Sequence, residues 1–249
     1  MTETTLQNAI HFILQGKGGV GKSFVAVNTA QYWIAKDRTV VCADTDPVNA
    51  TFTQYKSLNV AHIDILQGSN VLQQKFDPLM ERAIETQADF VIDNGAATFL
   101  PLTNYMAENG IFELLANSGK KVFVHSILTG GQAKTDTLNG FEELAKRVDG
   151  FAKIVLWENE FWGPVDYDGY PITSLKVYKQ HQSKVAGIVK LKQHTSDTFI
   201  RDTKIMTENH MTYDDVITSK DIPEFGMIAK NRMTKLRDEI FSAMNEVSW

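Results

Sequence analysis

With 249 residues, 43% of them hydrophobic and 22% charged, the chain has the composition of a packed globular protein and not of a disordered one, and its length suits one α/β domain over 1–249. No apolar run approaches the ~18 residues of a membrane span, and the single cysteine, Cys42, excludes an intramolecular disulfide. A net charge of −5 excludes a surface that is basic all over, so any nucleic-acid contact needs a local patch.

The start, Met1-Thr2-Glu3-Thr4-Thr5, has neither a basic nor an apolar signal region. The cytoplasm is therefore the expected compartment, and residues 1–9 are expected to be disordered or loosely held. An apolar run at 10–14 leads into Gly16-Lys17-Gly18-Gly19-Val20-Gly21-Lys22-Ser23, and a helical pattern follows from Phe24 to Trp33. Strand, glycine-rich loop, helix is the context that the motif G-x-x-x-x-G-K-[ST] needs. Gly18, Gly19 and Gly21 lack a Cβ, so backbone N–H groups can approach phosphate oxygens, and the helix N-terminus adds unpaired donors. Lys22 supplies a cation for the β and γ oxygens and Ser23 a hydroxyl for Mg²⁺. Gly16 through Ser23, together with Phe24, are the expected ATP contacts. The competing reading is a glycine-rich turn with an incidental Lys-Ser.

Beyond the first helix, 39–44 reads as a buried strand ending in a polar loop, Asp44 to Thr51, broken by Pro47. A strand is expected at 62–66. Leu72, Phe76, Leu79, Met80, Ala83 and Ile84 then recur at helical spacing. Further strands are expected at 89–93, 121–127, 152–157 and 184–189, with helices at about 102–117 and 133–147 and a short one before the last strand. A helical final third closes with a docking helix over 226–249, presenting Ile228, Met233, Leu236, Ile240, Phe241, Met244 and Val247 on one face. Strands alternating with helices predict a mostly parallel sheet covered on both faces, with ligands at the carboxyl ends of the strands.

Lys17 adds a second cation to the glycine-rich loop. The form K-G-G-x-G-K-[ST] resembles the deviant Walker A loop of the MinD/ParA/Mrp group of P-loop ATPases. Val27-Asn28-Thr29-Ala30 is similar to that group's V-N-L-A, with Thr29 in place of Leu. The resemblance implies ATP and Mg²⁺ as ligands, slow hydrolysis, and a homodimer on ATP binding in which Lys17 reaches the partner's phosphates. The plainer alternative for Lys17 is a solvated loop lysine. Asp93 closes an apolar run as a Walker B aspartate does, placed to hold Mg²⁺ through its water shell; a cap or turn aspartate is the alternative. Asp44-x-Asp46-Pro47 is similar to the group's switch I, D-x-D-P-Q, which implies that Asp46 orients the attacking water while Asp44 sits deeper, near Mg²⁺ and Lys22. Phosphoryl transfer asks for positioning more than for a strong base, so an ordinary carboxylate suffices. Val48 stands where the group has Gln, Thr51 matches a group threonine, and an Asx turn around Pro47 is the competing reading. Asn159 occupies the place from which the group reads adenine, although a lone Asn in a polar loop carries little by itself. The stretch Trp157-Glu158-Asn159-Glu160-Phe161-Trp162-Gly163-Pro164 resembles the plasmid-borne, TraL/StbB-like members, which implies plasmid DNA, a relaxase or a transfer or partition protein as cargo.

An ATP-dependent ligase resembling dethiobiotin synthetase is the alternative function, but no substrate-pocket signature accompanies the loop. Iron–sulfur relatives need paired cysteines, which Cys42 alone cannot supply, and a tyrosine-kinase relative would carry a tyrosine-rich tail. The histidines show no metal-site spacing. Lys230, Arg232, Lys235 and Arg237 form a basic strip diluted by Asp238, Glu239 and Glu246, which reads as a solvated face. The aromatic segment 161–171 reads either as packing over a core edge or as a partner-binding loop.

Overall fold

The computed structural model describes residues 7–67 and 70–249. Its elements run β1 (Ala9–Ile13), α1 (Lys22–Ile34), β2 (Val40–Asp44), β3 (Ala61–His62), β4 (Leu66–Gln67), β5 (Asn70–Val71), α2 (Asp77–Glu85), β6 (Asp89–Asp93), α3 (Phe99–Glu108), α4 (Ile111–Asn117), β7 (Lys121–Thr129), α5 (Lys134–Arg147), β8 (Ala152–Asn159), α6 (Lys176–His181), β9 (Val185–Leu191), α7 (Asp197–Glu208), α8 (Tyr213–Thr218) and α9 (Met227–Asn245). Seven strands form one sheet in the order β3-β2-β6-β1-β7-β8-β9, and every neighbouring pair is parallel. Because β1 lies between β6 and β7, the chain leaves it in one direction and later returns to build in the other. This reversal opens a crevice at the strand carboxyl ends, directly where the glycine-rich loop begins.

The period of two along the strands sorts the core into layers. Ile10, Phe12 and Leu14 pack under α2 to α6 with Phe90, Ile92, Val124 and Leu156. Ala9 and Ile13 face the other way, with Phe123, Val155 and Trp157, beneath α1, α7, α8 and α9. On this second face Trp157 Nε1 donates to His125 Nδ1 at 2.8 Å, and His125 Nε2 lies 3.0 Å from His11 Nδ1. Both imidazoles are fully buried, stacked among Trp33, Phe123 and Trp249.

Four expectations are corrected. The strand at 62–66 is cut short: only Ala61 and His62 pair, with Ala43 and Asp44, while Ile65 turns into the core and the chain enters the β4–β5 hairpin. The helix at 102–117 is two helices, because Gly110 takes a left-handed φ of 59° and redirects the chain. The helix begun at Leu72 starts as a 3₁₀ turn at Gln73–Phe76 and becomes α only at Asp77, with Pro78 in its first turn. Ile228 is 72% exposed and off the buried face. It sits in the first turn of α9 beside Met227, also exposed, and the buried face of the helix starts at Ala229. Residues 1–6 of the expected loose start lie outside the described residues; by Asn8 the chain is tied to the Lys121 N–H. No helix among the described residues is long and apolar enough to cross a membrane.

Candidate functional site

The glycine-rich loop leaves β1 and turns into α1 at Gly21, whose φ of 99° is a conformation that a side chain would strain. The loop walls a cleft of about 510 Å³ with Gly18, Gly19, Gly21, Lys22, Ser23 and Phe24. Asp46, Val48, Asn49 and Thr51, after β2, form a second wall, and Ala96 and Ala97, after β6, a third. Gly16 lies at the rim against the Phe99 ring, and Val20 is buried. Three strand ends thus meet at one concavity, as the parallel order requires.

Lys22 is almost wholly buried and its ammonium donates to the Lys17 carbonyl at 3.1 Å. Burial pulls its pKa down, while Asp93 and Asp46 oppose the shift. Ser23 Oγ donates to Asp93 Oδ2 at 2.6 Å, joining α1 to the end of β6. The other carboxylate oxygen, Oδ1, is buried without a hydrogen-bond partner. Burial pushes Asp93 up to about 7 despite the Ser23 hydrogen bond. A carboxylate with one orphaned oxygen beside a hydroxyl and an ammonium suits a divalent cation carrying phosphate ligands.

Asp44 organises the second wall. Its Oδ1 accepts the Asp46 N–H at 2.9 Å, and its Oδ2 accepts those of Phe52 and Thr53 at 3.0 and 3.3 Å. Burial raises its pKa and these donors hold it back. Asp46 Oδ1 accepts the Val48 and Asn49 N–H groups at 2.9 and 3.1 Å, an Asx turn over Pro47. The turn and the cleft position therefore coexist in one residue.

Lys17 Nζ pairs with Asp136 Oδ2 of α5 at 2.7 Å, with both side chains about half exposed. Asn159 has both ends of its amide engaged: Nδ2 donates to the Val20 carbonyl at 3.0 Å and Oδ1 accepts the Phe161 N–H at 3.1 Å. It bridges the end of β8 to the glycine-rich loop. The aromatic segment divides, with Val165 in the core and Phe161, Trp162 and Tyr170 on the surface. On α9, Arg232 is spent on Asp202 and Arg237 on Asp238, which weakens the basic strip. Burial pushes the Cys42 thiol up to about 12, so it is inert at neutral pH.

Sequence reasoning missed three supports. Gln15 Nε2 donates to the carbonyls of Ile127 and Thr137, tying the loop to β7 and α5. Asn94 reaches the Ile13 carbonyl and accepts from Thr45 Oγ1, which ties β1, β2 and β6 at their ends. Asp136 is the partner of Lys17. Gln15 and Asn94 adjoin motif residues and could have been flagged on that ground; Asp136 has no local signal.

The model of the CobQ/CobB/MinD/ParA nucleotide binding domain matches residues 11–231. Two proteins of Escherichia coli, each called Protein TraL, are similar along nearly the whole chain. One is 37% identical over 236 residues, 95% of this chain and 97% of its own. The other is 36% identical over 239 residues, 96% of this chain and 98% of its own. Among solved structures, a ParA family ATPase from Chlorobium tepidum TLS is similar in fold, with a TM-score of 0.50 at 12% identity, covering 93% of this chain and 98% of that one.

Proposed function

The chain belongs to the CobQ/CobB/MinD/ParA family of nucleotide-binding domains, and from that premise we propose that it is a slow ATPase working as a switch between one-copy and two-copy states. The observation that carries this reading is the Ser23–Asp93 pair beside the buried Lys22, set at the mouth of the glycine-rich loop. The loop N–H groups and the start of α1 hold the phosphates of ATP, and Lys22 leaves the Lys17 carbonyl for a phosphate oxygen. Ser23 and Asp93 would hold Mg²⁺, with Asp44 behind them. When bound, Mg²⁺ neutralises charge on the phosphates. Asp46, its Oδ1 fixed by the Val48 and Asn49 N–H groups, orients the attacking water through Oδ2. Lys17 gives up Asp136 and turns to the phosphates of a second copy, where a cation offsets charge that develops during transfer.

The product of such a device is a conformational state. The near full-length similarity to the TraL proteins and the plasmid-type 157–164 stretch support a cargo in plasmid transfer or maintenance. With Arg232 and Arg237 spent on carboxylates, a protein cargo suits α9 better than DNA.

The test compares three proteins for ATP binding and phosphate release. Lys22→Ala should weaken ATP binding by about tenfold or more through loss of a charged hydrogen bond. Lys17→Ala should bind ATP like the parent yet lose nearly all turnover. Parent-like turnover in Lys17→Ala contradicts the two-copy mechanism, and strong stimulation of the parent by small carboxylic acids points to a ligase instead.

A further inference from the structure

Phe161 and Trp162 are 65% and 55% exposed, in edge-to-face contact with ring centroids 4.8 Å apart. The turn that carries them is firmly seated. Asn159 accepts the Phe161 N–H with one end of its amide and holds the Val20 carbonyl of the glycine-rich loop with the other. Glu160 is paired with Lys190 at 2.8 Å. Beneath the turn, a Cβ at Gly130 would collide with the carbonyls of Gly163 and Pro164, a close approach that only glycine permits. Two large aromatics are thus held out to solvent on a fixed backbone, so most of the ordering entropy of an interface is already spent.

Their position points to what they meet. The turn rests on Gly130 and Gly131, which lead into α5, and the first turn of α5 carries Asp136, the partner of Lys17. The aromatic pair, the glycine-rich loop and Lys17 therefore share one face of the molecule. That face presents a half-exposed cation beside a half-exposed anion, a pairing that is self-complementary under two-fold rotation. Val48, after β2 on the wall of the same cleft, adds exposed apolar surface. Nucleic acid fits poorly, because the segment carries Asp166 and Asp168 and the chain a net charge of −5.

We infer that Phe161 and Trp162 are the apolar anchor through which a second copy of this chain is gripped when nucleotide fills the loop. The inference rests on the two-copy reading above and names the side chains that stabilise that state. Asn159 makes the grip nucleotide-dependent, since it joins the aromatic turn to the backbone that meets the phosphates.

The test uses light scattering with Mg²⁺ and ATPγS on the parent, on Phe161→Ser/Trp162→Ser, and on Phe151→Ser, an exposed aromatic at the far end of β8. ADP affinity and thermal melts check each protein. The double variant should melt and bind ADP like the parent, while its self-association weakens by about thirtyfold; Phe151→Ser should assemble like the parent. Of the four tryptophans Trp162 is the exposed one, so acrylamide quenching of the parent should fall on assembly. Assembly of the double variant with parent-like affinity overturns the inference, and so does a loss of its ADP affinity, which would place the rings in the nucleotide pocket. A parent that stays single with ATPγS overturns the underlying reading as well, and is recognised without any variant.

Discussion

Asp93 is buried at the end of β6, with one oxygen on Ser23 and the other unpaired. Its pKa of about 7 is above the ~3.9 of an unfolded aspartate. Between those values the folded chain holds a proton that the unfolded chain has lost, so stability falls as pH rises through the window. This contribution is whole below about pH 4 and gone above about pH 7. Asp93→Asn keeps the neutral form at every pH and still accepts from Ser23. In magnesium-free buffer its melting temperature should exceed the parent's by several degrees at pH 7.5 and by much less at pH 5. A gap that does not change with pH would contradict the burial argument. The same substitution should abolish the magnesium requirement of ATP binding together with turnover. The motif letters exposed this residue; its orphaned oxygen and raised pKa come from burial under α1, which no single-residue signal records.

At the scale of elements, the joints between strand ends decide how the loop behaves. Asn159 joins β8 to the loop through two hydrogen bonds, so Asn159→Leu leaves the Val20 carbonyl and the Phe161 N–H unpaired. The expected loss is about 1–3 kcal/mol in urea unfolding. ATP and GTP binding should weaken alike, because the amide is committed to backbone; a loss confined to ATP would mean that Asn159 reads the base. The histidines of β1 and β7 slope against Asp93. Burial draws His125 down to about 3 and His11 well below its usual value, so in acid the unfolded chain binds protons that the folded chain refuses. Stability from this pair is lost as pH falls below about 6.5. Urea midpoints of His11→Phe/His125→Phe should therefore drop less between pH 6.5 and 4.5 than the parent's, although Trp157 loses its acceptor. An unchanged slope would assign the acid limb to other groups. Alternation of strands and helices was legible because apolar period and breakers are local. The break at Gly110 was not, since a lone glycine inside an apolar helical pattern reads as tolerated until the packing of α3 against α4 is seen.

For the whole molecule, a mostly parallel sheet covered on both faces followed from the pattern of elements, as did the glycine-rich loop between the first strand and helix, whereas the strand order and its reversal at β1 did not. What required three dimensions was the face: Lys17 against Asp136, the glycine-seated aromatic turn, and Val48 on the cleft wall come from segments far apart in the chain. Such long-range adjacency leaves no periodic trace. We propose that this face closes on a second copy around ATP and opens when the γ-phosphate is gone. The decisive measurement is the light-scattering mass in Mg²⁺ with ATPγS, with ADP and without nucleotide. The expected result is twice the chain mass with ATPγS, the single-chain mass in the other two conditions, and the single-chain mass in all three for Lys17→Ala. One mass in every condition for the parent, or doubling that survives in Lys17→Ala, would contradict it.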